Sequence, residues 1–209
     1  LISITRPDES NNTFYVDDTE NITWSWNGSM SAINVYSTNL TGAWIEQENN
    51  IVNNGTHPWY VPNIISNTSR VKVCNYLYNE TIAEACGFSI NFTRKQKIDI
   101  NNPAPGAALK AGQPYQISWT RHGTLTTANI SYTSQSLGWI FTEFVNNTDS
   151  VNATNYFNWT VPDDMGANTS KIKITAPFAP YPDISSTSGL FSIIGYLNLT
   201  QPVTGANLA

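Results

Sequence analysis

Short runs of alternating apolar and polar residues recur along this chain, each closed by Gly, Pro or Asn. Ile22-Thr23-Trp24, Val71-Lys72-Val73, Phe88-Ser89-Ile90, Ile117-Ser118-Trp119 and Ile172-Lys173-Ile174 all have this form. A period of two puts neighbouring side chains on opposite faces of a strand. The apolar members are therefore expected in a core and the residues between them in water. No stretch carries a helical period worth naming.

The runs themselves repeat. Ile98 to Leu109 reappears as Leu197 to Leu208, and a weaker version, Ile2-Ser3-Ile4-Thr5-Arg6-Pro7, opens the chain. Inside the repeat, Trp44-Ile45 matches Trp139-Ile140, and Trp59-Tyr60-Val61-Pro62 matches Trp159-Thr160-Val161-Pro162. Phe88-Ser89-Ile90 is matched with Phe191-Ser192-Ile193. The expected organisation is one repeat over 1–96, a second over 97–195, and the first strand of a third, or an inter-subunit strand, over 196–209. About seven strands per repeat, joined by tight turns, predict an all-β chain of tandem immunoglobulin-like antiparallel β-sandwiches. With Phe88 set against Phe191, the first boundary holds extra residues near Arg94-Lys95-Gln96-Lys97, expected to be a charged connector or, alternatively, a docking patch for an acidic partner. Connections this short favour an extended rod.

Composition changes the picture at one point. Only 12% of residues are charged, against roughly 25% in ordinary domains, while Asn is in excess and falls in a pattern. Fourteen Asn-x-Ser/Thr triplets are present where about five would arise by chance from the composition, none with Pro in the middle. They begin at Asn11, Asn21, Asn27, Asn39, Asn54, Asn67, Asn79, Asn91, Asn129, Asn146, Asn152, Asn158, Asn168 and Asn198. The triplet is the acceptor for N-linked glycan, a bulky polar group that must sit on the surface of a secreted chain. In Asn21-Ile22-Thr23, Asn39-Leu40-Thr41, Asn91-Phe92-Thr93, Asn129-Ile130-Ser131, Asn158-Trp159-Thr160 and Asn198-Leu199-Thr200 the middle residue is large and apolar. On a strand it would point inward while Asn and Ser/Thr face water. Asn27-Gly28-Ser29 and Asn54-Gly55-Thr56 carry the signal of a tight turn. The alternative is that Asn and Thr are merely polar strand and turn residues.

Cys74 and Cys86 flank the last hairpin of the first repeat, and Thr175 and Gly189 stand at the matched places of the second. Joint presence and joint absence predicts a disulfide. Simple alternation puts Cys74 outside with Lys72 but Cys86 inside with Phe88, so a bulge is expected. Enzyme constellations are missing: His57 and His122 belong to no metal-binding spacing, and no nucleophile elbow or phosphate loop occurs. No catalytic residue, metal site or cofactor is expected beyond covalent glycans. Asp17-Asp18 and Asp163-Asp164 read as solvated pairs. Trp24, Trp44 and Trp59 recur as Trp119, Trp139 and Trp159, which argues for core positions, whereas Trp26 faces Arg121 in the match. Trp26 and Tyr181, the latter in the Pro-rich loop 176–182, are the candidate contact residues.

No apolar run approaches the roughly 20 residues of a membrane helix. A net charge of -5 with ten Lys plus Arg gives no basic footprint for nucleic acid. The opening Leu1-Ile2-Ser3-Ile4 reads as a strand, so no leader is expected within these residues, and the chain reads as mature or as cut from a longer one.

At Tyr115-Gln116-Ile117-Ser118-Trp119-Thr120, Trp159-Thr160-Val161-Pro162, Lys171-Ile172-Lys173-Ile174 and Ser188-Gly189-Leu190-Phe191-Ser192-Ile193, the second repeat resembles the Knh-like domain. This immunoglobulin-like repeat occurs in fungal proteins that support cell-wall β-glucan assembly and in Ser/Thr-rich GPI-anchored surface proteins. The resemblance covers nearly all of the second repeat and, more loosely, the first, which differs at Asp8 to Asn12 and by its cysteines. It implies fold and an extracellular setting, with no catalytic residues to carry over. The expected function is a glycosylated structural repeat protein of the cell surface, wall or matrix. It would self-associate into a filament or longer tandem array, through head-to-tail strand addition by 196–209, with wall polysaccharide as a further partner. The competing expectation is an adhesin or carbohydrate-binding module.

Overall fold

The computed structural model describes residues 1–78, 82–134, 138–146, 154–163, 166–176 and 184–195. The described chain divides into two compact units. Unit 1 comprises Leu1–Lys97 with His122–Thr124, and unit 2 comprises Ile98–Arg121 and the chain from Leu125 onward.

Ten strands precede the boundary: β1 (Ile2–Arg6), β2 (Thr13–Tyr15), β3 (Thr19–Trp26), β4 (Ala32–Thr38), β5 (Trp44–Val52), β6 (Thr56–Tyr60), β7 (Ser66–Ser69), β8 (Val71–Asn75), β9 (Cys86–Phe88) and β10 (Phe92–Lys95). Ten follow: β11 (Lys97–Asn102), β12 (Ala108–Lys110), β13 (Pro114–His122), β14 (Thr127–Ser134), β15 (Gly138–Asn146), β16 (Thr154–Thr160), β17 (Gly166–Ser170), β18 (Ile172–Thr175), β19 (Ser185–Thr187) and β20 (Phe191–Ile194). The sheets of the first set run β1-β3-β6, β5-β4-β8-β9 and β2-β10-β7, and those of the second run β11-β13-β16, β15-β14-β18-β19 and β12-β20-β17. Strand for strand the two orders are the same. β2 and β12 pair parallel with β10 and β20, while β1-β3-β6, β5-β4-β8-β9, β10-β7, β13-β16, β15-β14-β18-β19 and β20-β17 pair antiparallel. Each set is an antiparallel β-sandwich of immunoglobulin type.

Alternation builds the cores. Ile22 and Trp24 of β3 meet Ile33 and Val35 of β4, Trp59 of β6, Val71 and Val73 of β8, and Phe92 of β10. The second core repeats this with Ile117, Trp119, Ala128, Ile130, Trp159, Ile172, Ile174 and Phe191. Phe14, Trp59 and Phe92 touch edge to face, with centroids 5.2–6.1 Å apart, the arrangement ring quadrupoles favour.

The segment from β9 to β10 of unit 1 corrects the expected register. Phe88 and Ile90 are exposed rather than inward, and Phe92 fills the place of Phe191. The backbone shows why. Ser89 Oγ accepts from Val71 N and donates to the Ile90 carbonyl, and Ser188 Oγ does the same between Ile172 N and the Gly189 carbonyl. Ser89 therefore corresponds to Ser188 and Phe92 to Phe191. With that alignment the extra residues at the boundary vanish, and Arg94 falls where unit 2 has Ile193.

Arg94 is accordingly no part of a solvated connector. It is fully buried, donates from Nε to Ser69 Oγ at 2.6 Å and from Nη2 to the Thr38 carbonyl at 2.6 Å, and its Nη1 has no partner among the described residues. Burial alone brings its pKa down to about 10. A buried cation held only by neutral groups costs more than a well-packed hydrophobe of similar volume. Arg94→Ile, which copies unit 2, is expected to keep or raise the denaturation midpoint of unit 1. Arg94→Ala, which leaves a cavity, is expected to lower the stability of unit 1 by about 2 kcal/mol and its midpoint with it. Equal losses in the two variants would overturn this account.

β5 lies at a sheet edge and, among the described residues, pairs only with β4. Its register slips twice, between Ile33 and Val35 and between Val35 and Tyr36, and Asn50 takes a positive φ of 53°. The Asn34 side-chain oxygen receives the Asn50 N–H at 2.8 Å and fixes the distortion.

Candidate functional site: sequon faces, the disulfide face and a loop-end cavity

Three strand sequons sit as the pleat requires. Asn21, Asn91 and Asn158 are exposed, and the residues beside them, Ile22, Phe92 and Trp159, are buried. Asn129 is half-buried beside buried Ile130. Asn39-Leu40-Thr41 departs from the expectation: it is a turn, and Leu40 is exposed. There Asn39 Oδ1 accepts from Thr41 N, Thr41 Oγ and Ala43 N at 2.8–2.9 Å, an Asx turn that outcompetes a strand. Asn27 and Asn54 stand on the turns their glycines predict, with Gly28 at φ +91° and Gly55 at φ +83°. Asn11 and Asn67 are exposed, but Ser69, the hydroxyl residue of the second, is buried against Arg94. The backbones of Asn146 and Asn168 lie in β15 and β17. Asn79, Asn152, Asn198 and Tyr181, and the tail 196–209, lie outside the described residues.

The cysteines form a disulfide, and no bulge separates them: Cys74 and Cys86 are direct cross-strand partners between β8 and β9. Both lie on the outer side of the four-stranded sheet with Tyr36 and Trp44. Cys86 is on this side because Phe88 is too, so one displaced alignment caused both misplacements. In unit 2 the same register pairs Thr175 with Ser185, not with Gly189.

A stack of cations and rings extends this face. Lys72 Nζ lies 4.3 Å from the Tyr36 ring centroid and 4.9 Å from that of Trp44. Trp44 contacts Phe88, and the Arg70 guanidinium covers Phe88 at 5.5 Å. Lys173 lies 5.6 Å over Trp139 at the corresponding place in unit 2. Such contacts let an ammonium lie flat on a sheet face at little cost in desolvation. The Trp44 and Trp139 pair is thus an outer-face device, with Trp139 exposed, whereas Trp24, Trp59, Trp119 and Trp159 are core as expected.

Trp26 shares the inward side of β3 and packs half-buried against the core, its ring close over Gly55. Asp17 and Asp18 are not simply solvated. Tyr60 donates its hydroxyl to Asp17 at 2.9 Å, which holds the phenol pKa above its ordinary value, and Lys97 Nζ lies 2.5 Å from Asp18. Partial burial lowers the pKa of His57, opposed by the charge of Glu48. No group of three or more His, Cys, Asp or Glu comes together among the described residues. Nor is any helix among them long and apolar enough to cross a membrane.

The end of the unit 1 sandwich beyond the disulfide holds a cavity of about 290 Å³, walled by Leu1, Met30, Tyr78 and Ile82, with Asn27 and Ser29 also lining it. Tyr76, Leu77 and Tyr78 form the turn that follows β8 and expose apolar side chains. Sequence alternation missed this place because its residues come from two turns. The signal was the cluster of aromatics between two cysteines.

No protein-family model matches the chain, and no curated protein matches it significantly. Among solved structures, the fibronectin(III)-like modules of Clostridium thermocellum CbhA align over 94% of this chain and 94% of that one, at 12% identity and a TM-score of 0.29. Titin domains z1z2, solved in complex with telethonin, align over 94% of this chain and 98% of that one, at 12% identity and a TM-score of 0.29. A tetra-tandem repeat from the extending region of a large adhesion protein aligns over 91% of this chain and 48% of that one, at 10% identity and a TM-score of 0.35. Agreement this loose carries no weight for function, and the immunoglobulin-type fold stands on the strand order and the two cores.

Proposed function

We propose that this chain is an extracellular, heavily N-glycosylated structural protein of tandem immunoglobulin-like repeats, not an enzyme, built into a cell-surface, wall or matrix fibril. The observation that carries the proposal is the division inside the strand sequons: Asn21, Asn91 and Asn158 outside, Ile22, Phe92 and Trp159 inside. That placement supplies glycan attachment points without disturbing the core. The disulfide fits an oxidising compartment, and the Knh-like resemblance supports a wall or surface setting. Head-to-tail addition of 196–209 to a neighbouring copy belongs to the same proposal, because a contact of that kind does not close on itself.

Intact mass before and after enzymatic release of N-glycans tests it. The expected result is a large loss of mass, with Asn converted to Asp at occupied sequons; an unchanged mass overturns the glycoprotein reading. Deletion of 196–209 with assembly unchanged by electron microscopy would remove the strand-addition element. A second reading is an adhesin or carbohydrate-binding module using aromatics such as Trp26 or Tyr181; the loop-end cavity, lined by Tyr78 rather than by either of these, supplies a hollow of ligand size. Saturable glycan-array binding lost in Trp26→Ala would favour it.

A further inference from the structure

The loop-end cavity of unit 1 has an unusual relation to the sequons. Asn27 and Ser29, the acceptor and the hydroxyl residue of Asn27-Gly28-Ser29, both line it. No other described sequon contributes both of these residues to this cavity. Asn27 is exposed on its turn, so the attachment point is open to solvent. Asn27 N donates to the Leu1 carbonyl at 3.0 Å, which fixes the turn beside the cavity wall. The wall is apolar surface left in water: Leu1 is 76% exposed, Tyr78 55% and Ile82 43%. Carboxylate and amide groups, Glu84 and Asn75, complete the lining. An apolar hollow with a ring and a few polar groups is the usual form of a small-ligand site. At about 290 Å³ it lies at the lower limit of such pockets and suits one sugar ring rather than a chain of them. The matching turn of the second repeat, His122-Gly123-Thr124, offers no Asn acceptor.

We infer that this cavity seats the first N-acetylglucosamine of a glycan attached to Asn27, so that the protein's own sugar caps the disulfide-closed hairpin. The inference rests on the glycoprotein reading above. The pyranose lays its C–H face on the Tyr78 ring and the apolar wall, while its hydroxyl and acetamido groups meet Glu84, Asn75 and solvent. The covalent tether keeps the ring at high local concentration, so weak contacts suffice.

The test begins with glycopeptide mass spectrometry of the glycoprotein, which reports occupancy at Asn27. Hydrogen exchange is then compared among the full glycoprotein, a form trimmed to single N-acetylglucosamines, the Ser29→Ala variant, which loses only this glycan, and Tyr78→Ser with and without Ser29→Ala. The expected result is that the trimmed form protects the hairpin amides around Tyr76–Tyr78 as well as the full glycan does. Ser29→Ala is expected to expose them about tenfold, the scale of a small local opening, and to add little once Tyr78 is Ser. Two outcomes overturn the inference while leaving the glycoprotein reading intact. One is an occupied Asn27 with no change of exchange in Ser29→Ala. The other is saturable binding of free N-acetylglucosamine at this cavity in the fully glycosylated protein, which a seated sugar would block. An unoccupied Asn27 overturns it at its premise.

Discussion

Exchanging Cys74 and Cys86 together for alanine lowers the melting temperature of unit 1 by about 12–24 °C and leaves that of unit 2 in place. The cysteines are twelve residues apart in sequence. Closing a loop of that size removes denatured-state entropy equivalent to about 3 kcal/mol. For a domain near a hundred residues, each kcal/mol moves the midpoint by about 4–8 °C. Removing the sulfurs also thins the packing against Tyr36 and Trp44. Unit 2 has Thr175 and Ser185 in the same register, so its transition is the internal control. Thermal unfolding with and without reductant, followed by hydrogen exchange in β8 and β18, distinguishes the two. If reduction shifted both transitions equally, or neither, the hairpin bridge would not be what holds this end of unit 1.

Trp119→Ala is expected to cost unit 2 about 3–5 kcal/mol, the range for truncating a large buried aromatic, because its side chain is wholly buried. The milder change to Phe separates this position from its counterpart. Trp24 donates its indole N–H to Asn53 Oδ1 at 2.8 Å, and Asn53 Nδ2 in turn holds the Met30 carbonyl at 3.1 Å. The Trp119 indole N–H is buried with no hydrogen-bond partner among the described residues. Trp24→Phe therefore strands an acceptor and loosens a loop, whereas Trp119→Phe removes a donor that was already costing free energy. Trp24→Phe is expected to be the more destabilising by about 1–2 kcal/mol. Chemical denaturation of both variants checks the order, and equal costs would show that the unpaired N–H is not a real penalty.

What could be read in advance depended on whether alternation had one solution. Ile22 and Trp24, or Ile172 and Ile174, allow only one inward set, and the structure buries them. Between Cys86 and Phe92 strict alternation puts Phe88, Ile90 and Phe92 on one face, which leaves two choices: Phe88 and Ile90 inward, or a break in the alternation that brings in Phe92. The backbone chooses the second because the Ser89 hydroxyl bonds locally and turns the strand before Phe92 enters the core. Sequence periodicity has no term for such a bond. The same blindness assigned Arg94 to a connector, since a buried cation looks like a surface one until its neighbours are known. The sequons were legible because Asn and Thr two apart need only the strand period. The cavity was not, since Tyr78 and Met30 lie far apart in sequence and share no period.

The kinked edge strand β5 limits how copies of this molecule meet. Long, regular edge strands present rows of unpaired N–H and carbonyl groups on which other chains accrete. β5 breaks that row twice, and Glu46 and Glu48 stand exposed along it. A chain packed densely at a surface could otherwise zip sheet to sheet and lose its identity as separate modules. The distortion pinned by Asn34 makes this edge a poor template for the addition of a further strand.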